Sequence, residues 1–162
     1  MSIALPVAQR GEKVLELIAS PVTESEWGSA WLYELTQAMH TTMLERNGVG
    51  IAAPQVYISK RVIIVASRPN PRYPDAPEMK AIVMVNPEIL TLSEHKVLGE
   101  EGCLSVPNER GQVARADKIA VRYFTLQGEM VETEFLGFPA RIVQHEVDHL
   151  NGVLFTSRIQ QN

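Results

Sequence analysis

The sequence predicts an α+β fold in which antiparallel strands pack around a C-terminal helix that bears an HExxH pattern, with a long helix near the N-terminus. Three observations predict this fold. One amphipathic helical pattern occurs early in the chain, a second occurs late, and the apolar runs between them have the lengths of strands. Because the strands follow one another without intervening helices, we expect them to pair in an antiparallel sheet.

Composition and charge indicate one globular domain spanning residues 1–162. The chain is long enough to bury a core, and its 45% hydrophobic and 21% charged composition is typical of soluble proteins. The net charge of -4 argues against a nucleic-acid partner, because no basic surplus is available to neutralise phosphates. No apolar run is long enough to span a bilayer, and the first residues lack the features of a signal peptide. With a single cysteine, no intramolecular disulfide can form, and a cytoplasmic location is expected.

The first helix is predicted to begin after Thr23, because Glu26 lies three residues later and completes a capping-box pattern. Apolar side chains then recur at helical spacing over about six turns. They are Trp27, Trp31, Leu32, Leu35, Ala38, Met39 and Met43. Asn47 and Gly48 supply the stop signal at the C-terminal end of this helix.

Strands are expected in the middle of the chain at 61–66, 81–87, 89–99, 113–117, 119–125 and 129–135. The second of these is expected to end at Asn86-Pro87, and the last two flank a Leu-Gln-Gly turn that indicates a hairpin. A long irregular loop is predicted at 67–80, which contains four of the ten prolines. The final helix has Pro139 in its first turn and a buried stripe that includes Val143 and Val147, and Gly152 closes it.

The segment GVGIAAPQV, from Gly48 to Val56, has no regular periodicity. Two glycines around one apolar residue permit the close approach of a partner to the backbone. The segment lacks the third glycine of a dinucleotide fingerprint and the Lys-Ser/Thr of a phosphate loop, which excludes both. The alternative interpretation is a tight loop with Gln55 in solvent.

The pattern QHEVDHLNG, from Gln144 to Gly152, predicts a metal site. His145 and His149 lie one turn apart on one helix face, so both rings can reach one ion, while Glu146 can reach a water on that ion. The alternative is a pair of core histidines that are hydrogen-bonded within the protein.

A catalytic metal site needs a third protein ligand and one open position. In zinc peptidases with this motif the third ligand often follows the helix, but the ten residues after Gly152 contain no Asp, Glu, His or Cys. We therefore expect the third ligand upstream, with Cys103 as the leading candidate. The alternative for Cys103 is a small buried apolar residue or an inert thiol.

Three motifs together resemble the signature motifs of bacterial peptide deformylase, in the same order. They are GVGIAAPQ at 48–55, EGCLS at 101–105 and QHEVDHLNG at 144–152. The resemblance implies a metal-dependent hydrolase that removes the formyl group from the N-terminal formyl-methionine of nascent polypeptides and releases formate. It also implies formylated nascent peptides at the ribosome as partners, a monomer, and no membrane or direct nucleic-acid binding.

The resemblance implies a role for each motif residue. Cys103, His145 and His149 would hold one divalent metal ion per chain, usually Fe(II), although such a donor set also accepts Zn(II), Ni(II) or Co(II). Glu146 would be the acid–base catalyst. The Gln55 side-chain amide and the Leu104 backbone N–H would stabilise the oxyanion.

Substrate contacts are also implied. Gly48 and Gly50 would let an extended peptide lie against the site, and an apolar pocket would take the methionine side chain. The candidates for the pocket are Val49, Phe138 and Ile142, each of which has plain core packing as its alternative. Arg115 matches a basic position near the substrate channel, with an exposed solvated charge as the alternative. Arg141, one turn before His145, is interpreted as lying at the pocket rim.

Two other functions compete with this one. The first is an HExxH metallopeptidase that cleaves internal peptide bonds; the missing downstream ligand and the presence of EGCLS argue against it. The second is a non-catalytic protein that binds N-terminal peptides. Glu146 and Gln55 argue against that function, because an inactive site requires neither side chain.

Overall fold

The computed structural model describes residues 3–160, and the elements in this range follow the predicted order of helix, strands and helix. The helices and strands, in chain order, are α1 Ala30–Glu45, β1 Gly50–Ala52, β2 Val62–Val65, β3 Ile82–Leu92, β4 Lys96–Cys103, β5 Val106–Ala116, β6 Lys118–Phe124, β7 Met130–Leu136 and α2 Gly137–Leu150. Short 3-10 turns add to them at Lys13–Glu16, Glu24–Glu26, Ala53–Val56 and Phe155–Arg158. None of the helices described is both long and apolar enough to cross a membrane.

The strands form two antiparallel sheets. Five strands pair in the order β1-β2-β3-β6-β7, and β4 and β5 form a separate two-stranded hairpin. The alternation of side chains along β2 divides the core into two layers. Ile63 and Val65 pack with α2, whereas Val62 and Ile64 pack with α1. The five-stranded sheet therefore lies between the two helices, as the predicted α+β class requires.

The first helix is shorter than predicted. Glu26 does accept a hydrogen bond from the Thr23 N–H at 2.9 Å, but this contact closes only the 3-10 turn Glu24–Glu26. Gly28 has a positive φ of 73°, which breaks the helical path. The α-helix begins at Ala30, where the Ser29 side chain accepts from the Leu32 N–H. The capping-box pattern therefore belongs to this 3-10 turn and not to the start of the α-helix.

The third strand is longer than predicted and does not end at Asn86-Pro87. Asn86 adopts a positive φ of 51°, and the register with β6 shifts between Val85 and Glu88, so the strand continues through a bulge. The predicted strand at 89–99 is consequently divided between β3 and β4. The irregular EGCLS segment and the short extended piece at 113–117 both belong to the long hairpin of β4 and β5. The predicted β2, the β6–β7 hairpin and α2 are confirmed.

Asn86 ties the N-terminal segment to the sheet. Its Oδ1 accepts from the Val22 N–H at 2.8 Å, and its Nδ2 donates to the Val22 carbonyl at 2.9 Å. We predict that Asn86→Ala lowers the free energy of unfolding by about 2–3 kcal/mol, because two hydrogen bonds are lost and alanine tolerates the positive φ poorly. Urea denaturation measures this change. Glu88→Ala, at an exposed neighbouring position, should change stability little; an equal loss in both variants would contradict the assignment.

Candidate metal centre

Helix α2 carries the two histidines into the interior. Its apolar residues pack on the five-stranded sheet, so the opposite helix face, with both imidazole rings, turns toward the β4–β5 hairpin. The ring centroids of His145 and His149 lie 5.1 Å apart, and both residues are buried. The helical spacing therefore places the rings side by side, as the sequence predicted.

The hairpin brings the thiol to the histidines. Cys103 ends β4, and its pairing with Val106 leaves a two-residue turn between the strands. This turn places the Cys103 Sγ 3.3 Å from the His149 Nε2. The candidate ligand atoms of Cys103, His145 and His149 all lie within 4.8 Å of one another. The three predicted ligands thus meet at one point.

The electrostatics of this group suit a metal ion. Burial alone would raise the pKa of the Cys103 thiol, but His149 and His145 lower it well below its ordinary value. Burial disfavours the charged form of His145, yet Cys103 and Glu101 raise its pKa well above the ordinary value. Both shifts are in the direction that favours a thiolate beside an imidazolium. A divalent ion can replace the shared protons, and a soft thiolate with two imidazoles is a common donor set for transition metals.

Glu101 contacts one of the predicted metal ligands, His145. Its Oε1 lies 2.9 Å from the His145 Nδ1, and its two oxygens accept from the Arg115 Nε and Nη2, each at 2.9 Å. Burial would raise the pKa of this carboxyl, but Arg115 and His145 hold it well below its usual range. An ionised Glu101 accepts a hydrogen bond from the His145 Nδ1–H, which leaves the Nε2 free for a metal. This role has no local signal in the sequence beyond the place of Glu101 in the EGCLS motif.

Gln55 points its amide at the centre. The Ala52 N–H donates to the Oε1 at 2.9 Å, so the Nε2 is turned the other way. That nitrogen lies 3.1 Å from the Ser105 Oγ and 3.6 Å from the Cys103 Sγ. Because Gln55 is 1% exposed, the interpretation that it lies in solvent is wrong.

Glu146 contributes an oxygen with no partner. Its Oε1 is buried and makes no hydrogen bond to any residue within 3–160. Burial raises the pKa of this carboxyl, and the nearby His145 and His149 only partly oppose the effect. A buried carboxylate oxygen without a donor is costly unless a water or substrate group occupies its side. The arrangement leaves this oxygen available for proton transfer.

A cavity opens in front of the centre. Cys103, His145 and Glu146 line it. The predicted pocket residues Val49, Phe138 and Ile142 line it, as does Leu104, which follows Cys103 in the hairpin turn. The site therefore combines three donor atoms, an open side and an apolar wall, which is the arrangement of a catalytic rather than a structural metal site.

The proline-rich loop forms part of the cavity wall, a role that the sequence left open. Tyr73 packs on Phe138 with ring centroids 5.0 Å apart, and its hydroxyl accepts from the Gly102 N–H at 2.9 Å. Arg68 donates to the Gly48 carbonyl at 2.7 Å, which ties the other end of the loop to the first motif. The loop is thus fixed to two of the three motifs.

The glycines of the first motif bring the backbone close to the centre. A Cβ on Gly50 would lie 2.7 Å from both the Glu146 Oε2 and the Ile142 Cγ2, so only glycine fits there. Gly48 is less tight, because a Cβ added there would lie 3.1 Å from the Leu104 Cδ1. Gly50 opens β1, an edge strand of the five-stranded sheet. An edge strand leaves backbone groups with which an extended peptide can pair.

Two arginines near the centre have guanidinium groups that are held by hydrogen bonds. Arg115 is not where the sequence predicted it, because it is buried and does not line the cavity: its guanidinium donates to Glu101 and to Asp148, the latter at 2.7 Å. The alternative of a solvated Arg115 is wrong for the same reason. Arg141 lines the cavity, in agreement with its predicted place at the pocket rim, and its guanidinium donates to Glu101 and to the carbonyls of Val97 and Val113. These buried bonds tie α2 to the hairpin.

Comparison with known proteins identifies the family. The family model described as polypeptide deformylase matches residues 4–162. Peptide deformylase 2 of Shewanella oneidensis is 47% identical over 156 residues, which is 96% of this chain and 84% of that protein. Peptide deformylase 2 of a Nostoc species is 47% identical over 158 residues, or 98% of this chain and 87% of that protein.

Solved structures agree. The class I type b peptide deformylase of Acinetobacter baumannii, with Met-Ala-Ser bound, is 76% identical with a TM-score of 0.96, covering 98% of this chain and all of that one. The peptide deformylase of Thermotoga maritima is 36% identical with a TM-score of 0.86, covering 98% of this chain and 99% of that one. The likeness in fold therefore extends over nearly the whole chain.

The contact between Gly99 and Arg141 can be tested by a double-mutant cycle. A Cβ on Gly99 would lie 2.7 Å from the Arg141 Cζ. We predict that Gly99→Ala lowers the free energy of unfolding by about 1–3 kcal/mol, because the guanidinium has no room to move. In an Arg141→Ala background the same change should be neutral or slightly stabilising, since glycine in a strand carries an entropic cost. Urea denaturation of the four proteins measures the coupling; an equal effect in both backgrounds would contradict the contact.

Proposed function

The chain belongs to the polypeptide deformylase family, and we propose which of its residues carry out the reaction of that family. The protein is a metal-binding hydrolase that removes the formyl group from nascent peptides. One observation supports the assignment most strongly. A buried Cys-His-His group lies beside one cavity, and Cys103 and His145 of this group line the cavity together with Glu146, which has a carboxylate oxygen without a partner, and the amide of Gln55. This set can hold a metal, move a proton and stabilise an oxyanion.

The proposed ligands are Cys103, His145 and His149, which would hold one divalent ion per chain. We propose Fe(II) as the physiological ion, and the same donors accept Zn(II), Ni(II) or Co(II). A bound divalent ion would supply a water of lowered pKa, around 7, and polarise the formyl oxygen. Glu101 would keep the His145 ring in the ligating orientation through the bond to its Nδ1.

Glu146 would move the proton. Its raised pKa and its partner-free Oε1 suit a group that accepts a proton from the attacking water. The same carboxyl would then deliver that proton to the departing amine, which restores the carboxylate. The second proton of the water would remain on the released formic acid, which ionises to formate.

Gln55 and Leu104 would stabilise the oxyanion. The Gln55 Nε2 is turned toward the centre by the bond that its Oε1 accepts from the Ala52 N–H. The Leu104 backbone N–H follows the Cys103 ligand directly in the chain. The loss of one such donor typically raises the barrier by about 3 kcal/mol.

The substrate would enter as an extended peptide. Gly48 and Gly50 would let it lie along the edge of the first motif, and its methionine side chain would lie against Val49, Phe138 and Ile142. The binding of Met-Ala-Ser to the related enzyme of Acinetobacter baumannii supports a short peptide as the ligand. Arg115 is left out of the proposed substrate contacts, because its donors are occupied by Glu101 and Asp148.

The setting of the reaction is part of the proposal. Formylated chains emerge from the ribosome, so we place the enzyme in the cytoplasm and its encounter with substrate near the ribosome. The acidic net charge of -4 gives no reason to expect direct nucleic-acid binding. We propose that residues 1–162 form one catalytic domain that works as a monomer.

Formate release tests the proposed function. Protein purified without oxygen and assayed for metal content should release formate from formyl-Met-Ala-Ser. Unformylated Met-Ala-Ser and a peptide with only internal bonds should remain intact. Cleavage of an internal bond would favour the metallopeptidase alternative. Peptide binding without turnover at full metal occupancy would favour the non-catalytic one.

Glu146→Gln tests the proton transfer. We predict that the variant keeps its metal content, because the proposed ligands are unchanged, but loses about 100- to 10,000-fold in kcat for formate release. Glu134→Gln, on the exposed face of β7, provides a matched control that should retain full activity. Retention of turnover in Glu146→Gln would remove the acid–base role.

A further inference from the structure

A basic groove adjoins the metal centre. A groove lined in part by Cys103 and Leu104 carries three arginines on its walls, Arg46, Arg72 and Arg110. Arg72 and the residues Cys103 and Leu104 also line the catalytic cavity, so the groove and the cavity are continuous. A concentration of arginine here contrasts with the net charge of -4 of the whole chain.

Two of these arginines converge at one point. The Arg72 and Arg110 Cζ atoms lie 5.5 and 4.8 Å from the centroid of the Tyr73 ring. A Cβ on Gly102 would lie 2.6 Å from the Arg110 Nη1 and 3.1 Å from the Arg72 Nη2. Both guanidinium groups therefore meet beside Gly102, the residue that precedes the proposed ligand Cys103.

The charges of the groove are poorly neutralised. Arg110 pairs with the exposed Glu100 at 3.3 Å and donates to the Arg72 carbonyl at 3.3 Å, and the groove carboxylate of Glu109 pairs with Arg10 instead, at 2.8 Å. Arg72 and Arg46 form no salt bridge with any residue in 3–160. Two neighbouring cations repel each other unless an anion binds between them. Planar guanidinium groups bind a carboxylate with two parallel hydrogen bonds.

We propose that Arg72 and Arg110, with Arg46 on the groove wall, form a subsite for a side-chain carboxylate of the peptide substrate. The inference rests on the proposed function, which places the formyl end of the peptide at the metal centre. An extended peptide advances about 3.4 Å per residue. The carboxylate therefore belongs to one of the residues two to four, directly after the formyl-methionine. The enzyme accordingly favours nascent chains with an early Asp or Glu.

The subsite predicts a measurable preference. We expect kcat/KM for formyl-Met-Ala-Asp-amide to exceed that for formyl-Met-Ala-Asn-amide by about fivefold at low salt, the upper range for an exposed ion pair. The lysine analogue should be the poorest of the three. The amide cap removes the terminal carboxylate, and formyl-Met-Asp-Ala-amide and formyl-Met-Ala-Ala-Asp-amide, each with its Asn counterpart, locate the preferred position. Because salt screens exposed charges, the ratio should fall as NaCl is raised.

Variants identify the residues responsible. Arg72→Gln and Arg110→Gln, each measured separately in metal-loaded enzyme, should bring the Asp/Asn ratio close to one. Arg122→Gln, whose arginine pairs with Glu132 on the distant β6–β7 hairpin, is the matched control and should keep the wild-type ratio. Should one groove variant fail to fold, the other decides the question alone, and circular dichroism verifies folding.

Two outcomes would overturn the inference. One is an Asp/Asn ratio of one at low salt at every peptide position tested. The other is a wild-type ratio that persists in both groove variants. These outcomes differ from failure of the proposed function, in which the asparagine peptide itself releases no formate. Formate release without any acidic preference would leave the deformylase assignment intact and remove only the subsite.

Discussion

Glu101 is a buried carboxylate on which the two halves of the metal centre converge. It lies on β4, two residues before Cys103, and it accepts hydrogen bonds from Arg115 on β5 and from Arg141 and His145 on α2. A buried anion requires such compensation, because its desolvation in isolation would cost far more than folding can supply. When buried, the carboxylate stays ionised because these partners surround it, so the hairpin and the helix must dock correctly before the site exists.

The rest of the fold supplies the surfaces for that docking. The five-stranded sheet holds α2 through apolar packing on one face and α1 on the other, which fixes the height and rotation of the histidine pair. The hairpin brings no large apolar surface of its own to α2, and polar bonds from Arg141 and Gln144 join the two instead. Apolar packing therefore places the helix, whereas hydrogen bonds place the thiol against it.

Local patterns in the sequence predicted more of the site than of the fold. The spacing of His145 and His149 alone defines one helix face, and the unique Cys103 left few choices for a third ligand. The predicted boundaries of strands and helices were wrong where the conformation of a single residue overrides propensity. Asn86 adopts a left-handed backbone inside β3, and the positive φ of Gly28 moves the start of α1 to a later residue. The role of Glu101 and the burial of Arg115 and Arg141 could not be predicted, because they depend on contacts between residues distant in the chain. The sequence predicted that the proline-rich loop is irregular, but the packing of this loop on Phe138 is a tertiary contact without a local signal.

Metal titration and urea denaturation of Glu101→Gln measure whether Glu101 holds the metal centre together. Asp148→Asn is the comparison, because Asp148 binds the same Arg115 without touching His145. We expect Glu101→Gln to weaken metal binding by about 10- to 100-fold. We also expect it to lower the free energy of unfolding by about 3–5 kcal/mol, since the buried Arg141 loses the carboxylate with which it pairs and the buried Arg115 keeps Asp148 but loses Glu101. Asp148→Asn should have smaller effects on both. Wild-type metal affinity and stability in Glu101→Gln would contradict the account.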